Sequence, residues 1–352
     1  MSEKEKALQA FRTLIEVCDA AAHTWTVPSE IEQPATPLGV DVLQKDLLSL
    51  FLLLRASTTK LALAMDPVNP QYTAVHSPLQ ETSKHIAAVV HCVSFLDAAI
   101  HGATIRREFE RVSADVINAV KHLLAALADP SHSTTNKVYL ARVGEVHELI
   151  DVARSVGPKG LSNSNITAVR KLWALDEGAL KDGLSELDDV LNKVDGDEDE
   201  DDGWDELGFD SEAALNPDER ARVQQAHTLG RIINLLHART RKDILSPPAS
   251  ASSSQKDYDA LAPCSAALLA ASDDFISALH PPHDRESLSE ELEELRSSVT
   301  RIREALDTIF ALQALERLSL NGEAGGGISP EKWFKTCFGQ IDKNIDMILA
   351  LP

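Results

Sequence analysis

The chain has 352 residues, of which 43% are hydrophobic but only 5% aromatic, and it carries a formal net charge of -21. That length leaves room for two domains of ordinary size, and the abundance of alanine and leucine over aromatic and β-branched residues predicts helix rather than sheet. A pI near 4.9 with no basic stripe argues against direct contact with nucleic acid, which needs clustered Lys and Arg to release counterions. No stretch approaches twenty uncharged apolar residues, and MSEKEKALQAFRTL lacks the apolar core of a secretory signal, so the expectation is a soluble, intracellular protein with no membrane contact.

About ten helices are predicted. The first covers Glu3 to Ala22, with Leu8, Phe11, Leu14, Ile15 and Cys18 on one stripe, and stops before the loop VPSEIEQPATPLG. The second runs from Val40 to Met65 with Leu43, Leu47, Leu50, Leu54 and Leu61 on a buried face, and the proline-broken loop DPVNPQYTAVHSP follows. The third spans Leu79 to His101, and the fourth spans Ile105 to Leu127 and is stopped by Asp129-Pro130. The fifth covers Thr134 to Val156 and the sixth Ser164 to Val194.

An acidic run, Asp195 to Glu212, comes next. It holds eleven carboxylates in eighteen residues with no Lys or Arg among them, so like charges oppose its packing into a core and predict a solvated, disordered linker. Asn216-Pro217-Asp218-Glu219 then supplies an N-cap, a proline at the first helical position and a carboxylate able to close a capping box. The seventh helix runs from there to Ile244, the eighth from Tyr258 to Leu279 before Pro281-Pro282, and the ninth from Ser287 to Leu318. The tenth opens at Ser329-Pro330 and carries Trp333, Phe334, Phe338, Ile341, Ile345 and Ile348.

Short connections and matched lengths describe an all-α chain of two up-and-down helical bundles joined by the acidic linker. The predicted division is 1–27 for an N-terminal helix, 38–194 for a five-helix bundle, 195–216 for the linker and 217–352 for a C-terminal bundle. Four helices remain after the linker, so the first helix is expected to cross back and complete the C-terminal bundle.

Two interaction surfaces are predicted. One is the acidic segment itself: Asp197, Glu198, Asp199, Glu200, Asp201 and Asp202 would attract a basic protein surface, and Trp204 and Phe209 would anchor the contact. Its plainer reading is a solvated linker. The other is the ninth helix, where Leu288, Leu292, Leu295, Val299, Ile302, Leu306 and Ile309 alternate by four and three as in a coiled-coil seam. Leu295 and Ile302 are the candidate contacts there, although the same seam also suits the core of the chain's own bundle.

No cofactor or metal site is expected. His85, His91 and His101 are six and ten apart on different helical faces, and the four cysteines are scattered among apolar neighbours as reduced core residues. Asp188-Asp189 and Asp273-Asp274 diverge by about 100° on a helix. G-x-S-x-G, P-loop, H-E-x-x-H and dinucleotide fingerprints are absent from the sequence, which predicts a non-enzymatic protein.

The segments VSADVINAVKHLL (Val112 to Leu124), ASDDFISALHPP (Ala271 to Pro282) and WFKTCFGQIDKNIDMI (Trp333 to Ile348), ordered around an acidic stretch, resemble the cyclin-D-binding protein family, GCIP. The resemblance implies two bundles similar to those of talin and vinculin. It also implies a negative regulator of proliferation that binds a D-type cyclin or a helix-loop-helix transcription factor, in nucleus and cytoplasm. A talin- or vinculin-like cytoskeletal adaptor and an acidic histone-chaperone-like protein are the alternatives.

Overall fold

The structure is a computed structural model that describes residues 1–26, 37–129, 138–192, 215–246, 255–319 and 330–351. The regular elements among these residues are all helices, with no strand among them. They form two compact units, Met1–Ala168 and Val169–Pro352.

Unit 1 holds α1 (Glu3–His23), α2 (Val40–Ala64), α3 (His76–Ser94), the single turn α4 (Ala98–His101), α5 (Ala103–Ala128) and α6 (Val138–Arg154). Its long helices close a ring: α1 packs on α3 and α5, α2 on α3 and α6, and α6 on α5. Phe11, Phe51, Ile86, Phe109, Val146 and Ile150 meet inside it with no exposed surface. Burial of each large apolar side chain contributes about 1.5–3 kcal/mol, so this interior is what holds the ring.

The place of α1 corrects the sequence expectation. Its stripe of Ala7, Phe11, Leu14, Cys18 and Ala21 is buried in the core of unit 1 rather than in the C-terminal bundle, and Asp19 pairs with Lys121 of α5 at 2.5 Å. A reciprocal capping box starts the helix: Ser2 Oγ accepts from the Glu5 amide at 3.2 Å, and the Ser2 amide donates to Glu5 Oε2 at 2.7 Å. Periodicity shows that a face is buried; it does not say against which neighbours.

α7 (Asn165–Asn192) supplies the missing fifth helix of unit 2. Unit 2 continues with α8 (Pro217–Arg239), α9 (Cys264–Ser277), α10 (Arg285–Ser319) and α11 (Pro330–Ala350). Asn234 of α8 donates to the Leu180 carbonyl of α7 at 3.0 Å, and Arg220 donates to the Leu191 carbonyl at 2.7 Å. Glycines allow close approach here: a Cβ at Gly183 would meet Ile276 of α9 at 2.9 Å, and one at Gly230 would meet Leu184 at 3.3 Å. α8 packs on α11, and α10 on both α9 and α11, so a second ring closes. The unit boundary therefore falls in the first turn of α7 rather than after the helix, and the acidic segment connects two helices of one unit.

Three predicted helices are interrupted. The third splits into α3 and α4 because Asp97 caps a new turn, its carboxylate accepting from the Ala99 amide at 2.8 Å. Gly102 follows at φ +103°, and a Cβ there would meet the Asn165 side chain at 2.1 Å, so only glycine fits. That buried asparagine accepts from the Ile105 amide at 2.9 Å and fixes the start of α5. The eighth becomes a 3-10 segment, Gln255–Leu261, followed by α9, because Pro263 has no N–H to continue the helix. The seventh ends in one π-turn, Thr240–Ile244.

α2 is long and apolar enough to cross a membrane by length and composition alone. It carries Asp41, Lys45, Asp46, Arg55 and Lys60, and Leu43, Leu47, Phe51, Leu54 and Leu61 are buried in unit 1. Those five residues are the face of a core helix.

Candidate functional site

The acidic segment enters and leaves at one end of unit 2. Asp197, Glu198, Asp199, Glu200, Asp201, Asp202, Trp204 and Phe209 lie outside the described residues, which begin again at the α8 cap. There Asn216 Oδ1 accepts from the amides of Asp218 at 3.0 Å and Glu219 at 2.9 Å, while Glu219 Oε2 accepts from the Asn216 amide at 2.9 Å. The other oxygen of Glu219 accepts from the His283 amide at 3.0 Å, which ties the exit of the segment to the turn before α10. Burial opposes ionisation of Glu219, but these amides, His283 and Arg222 together hold its carboxyl below the usual range.

Leu295 and Ile302 have no exposed surface. The whole α10 seam from Leu288 to Ile309 faces the core of unit 2, so these two residues hold the unit together and are not presented outward. Apolar side chains that do reach the surface were not singled out by the pattern: Leu52, Leu53 and Leu63 of α2 are 39%, 48% and 72% exposed, and Leu140 of α6 is 46% exposed. The Arg55–Asp151 ion pair and the 3.1 Å contact of Thr59 Oγ1 with His147 Nε2 set α2 and α6 side by side in register. The signal for the leucines lay in the sequence, because a helix with leucine at almost every turn position carries more than its inner face can bury.

The buried polar groups are structural. His101 accepts from the Asp97 amide at 3.0 Å through Nδ1 and places Nε2 2.9 Å from the Leu38 carbonyl, so it clasps the α3–α4 turn to the start of α2. Trp173 is fully buried, donates to the Leu261 carbonyl at 2.8 Å and stacks on His237 with ring centroids 4.7 Å apart. His237 Nε2 lies 2.9 Å from Ser265 Oγ. All four cysteines are free and buried, and burial pushes the thiols of Cys18 up to about 12 and of Cys92 and Cys337 to about 11. At neutral pH they stay protonated and poorly nucleophilic. Burial, reinforced by Asp274 and Glu186, raises Asp273. Among the described residues no group of three or more His, Cys, Asp or Glu is placed to hold a metal ion.

His237 gives unit 2 a pH dependence of known sign. Burial pushes its imidazole down to about 4 against the pull of Asp176 and Glu177, so the folded state holds it neutral while the unfolded chain protonates near 6.5. Its contribution is therefore complete above pH 6.5 and is lost as pH falls from 6.5 through 4, by about 3 kcal/mol in all. Denaturant unfolding across this range is expected to show that loss in the native chain and a much shallower slope in His237→Gln. Equal slopes would show that other groups carry the acid sensitivity.

No curated protein matches this chain in sequence. Two family models match it in tandem: Grap2 and cyclin-D-interacting, N-terminal, over residues 46–193, and Grap2 and cyclin-D-interacting, C-terminal, over residues 200–304. The first spans most of α2 and runs through α7; the second covers much of the acidic segment and extends into α10, and the break between them falls at the acidic run. α1 and α11 lie outside both matches, including the terminal segment Trp333 to Ile348. Together the two models cover well over half of the chain, which belongs to the Grap2 and cyclin-D-interacting protein family.

Proposed function

We propose that this protein is a non-catalytic regulator of the cell cycle or of transcription that works by occupying the surface of a cyclin or a helix-loop-helix factor. The tandem family match carries this reading, since the family is named for interaction with Grap2 and D-type cyclin. The acidic segment supplies long-range attraction to a basic partner surface, and Trp204 and Phe209 supply short-range anchors. Such a regulator acts in nucleus and cytoplasm, where these partners are met.

Purified D-type cyclin tests the reading directly. Capture by the full chain is expected at low ionic strength and is expected to weaken at physiological salt, because exposed charges more than a Debye length of about 8 Å apart are then screened. No capture at either ionic strength counts against a cyclin partner. Capture that is indifferent to salt would favour helix exchange of the talin and vinculin kind over the acidic mechanism.

A further inference from the structure

At the end of unit 2 where the acidic segment enters and leaves, a cleft of about 220 Å³ opens between α8, α10 and α11. Its polar side is Arg222, Arg285 and Ser289, and its apolar side includes Leu292, Ile348 and Leu349. Arg222 is 7% exposed and is oriented by His283, whose Nδ1 lies 2.8 Å from its Nη1 and whose Nε2 lies 2.7 Å from the Leu279 carbonyl. The carbonyl can only accept, so Nε2 carries the proton and Nδ1 accepts from the arginine. Arg285 donates to the Leu351 carbonyl at 2.8 Å. Two guanidinium groups beside an apolar wall describe a site for a chain that bears carboxylates and an aromatic or aliphatic side chain together.

We infer that this cleft is a docking site for the protein's own segment Asp205–Glu212. Charge and reach both point to that occupant. The sequence DELGFDSE has four carboxylates, no basic residue, and Leu207 and Phe209 between them. Phe209 stands eight residues before Pro217, a span of at most about 27 Å, and Arg222 lies only about 8 Å along α8 from Pro217. Phe209 enters the apolar side and Asp210 or Glu212 meets Arg285. The docked segment withholds Phe209 from an outside partner, so the cleft competes for the same anchor that the proposed function uses. That consequence rests on the protein-binding reading, whereas the docking itself does not.

The test uses the full-length chain with Asp195–Glu212 replaced by a Gly-Ser stretch of equal length, and a fluorescein-labelled peptide of residues 195–212 as probe. Saturable binding by anisotropy is expected. Arg285→Glu and the cleft-filling Ser289→Phe in the protein, and Phe209→Ser in the peptide, are each expected to weaken it at least tenfold, while Lys332→Glu on α11 leaves it unchanged. Arg285 is exposed, so an unaltered thermal midpoint verifies that its variant is folded. Absence of saturable binding overturns the inference. So does equal binding of a scrambled peptide, or indifference to Arg285→Glu. None of these outcomes depends on whether a cyclin binds.

Discussion

Deletion of Ser2 to Ala22 is expected to unfold unit 1. α1 contributes Ala7, Phe11, Leu14, Cys18 and Ala21 to that core, and its removal uncovers the facing sides of α3 and α5. At about 0.8 kcal/mol per buried methylene, the loss on both sides of the interface exceeds the 5–15 kcal/mol that holds a typical domain. Hydrogen exchange is the direct readout. Amide protection should vanish across α2, α3 and α5. Protection lost instead in α8 to α11, with α2 to α6 intact, would return α1 to the C-terminal bundle.

Trp173→Ala is expected to cost unit 2 about 3–5 kcal/mol, the range for truncating a fully buried aromatic side chain. Three losses combine: the ring leaves a cavity, the stack with His237 disappears, and the Leu261 carbonyl loses its donor. Trp173→Phe keeps the packing and the stack but not the indole N–H, so it should cost less, about 1–3 kcal/mol. Denaturant unfolding of the two variants separates packing from hydrogen bonding. A cost below about 1 kcal/mol for Trp173→Ala would remove α7 from the core of unit 2, because truncation there always exceeds that when the residue is a true core member.

Much of this architecture follows from pattern alone. The α10 seam, the capping box at Asn216 and the stripes of α1, α2 and α5 are local signals, because a helix must bury its apolar face and satisfy its first amides wherever it packs. What pattern does not contain is the choice of neighbour. α1 and α7 both carry a full stripe, and each joined the bundle opposite to the one expected, since a shift in composition at Asp195 reads as a domain boundary even when the helices on either side of it belong to one unit. Local breaks were present in the sequence but weak: Asp97 as a cap, Pro263 as a stop. Gly102 and Asn165 are 63 residues apart and gave no signal, because their contact exists only once the chain is folded. His237 continues the apolar series Leu229, Ile233, Leu236, so its burial could have been read from spacing; its stacking on Trp173 could not.

The account of function turns on whether the acidic segment is the binding surface. The most direct measurement is the association and dissociation rates of D-type cyclin with the full-length chain, as a function of salt. Replacing Asp197 to Asp202 with Ser and Gly is expected to slow association and flatten its salt dependence, because long-range attraction acts on encounter. Replacing Trp204 and Phe209 with Ala is expected to speed dissociation, at about 1–4 kcal/mol for each anchor that is a hot spot. Rates unchanged by both replacements, in chains that still bind cyclin and unfold at the native midpoint, would contradict the account and place the contact on the helical surface of the bundles.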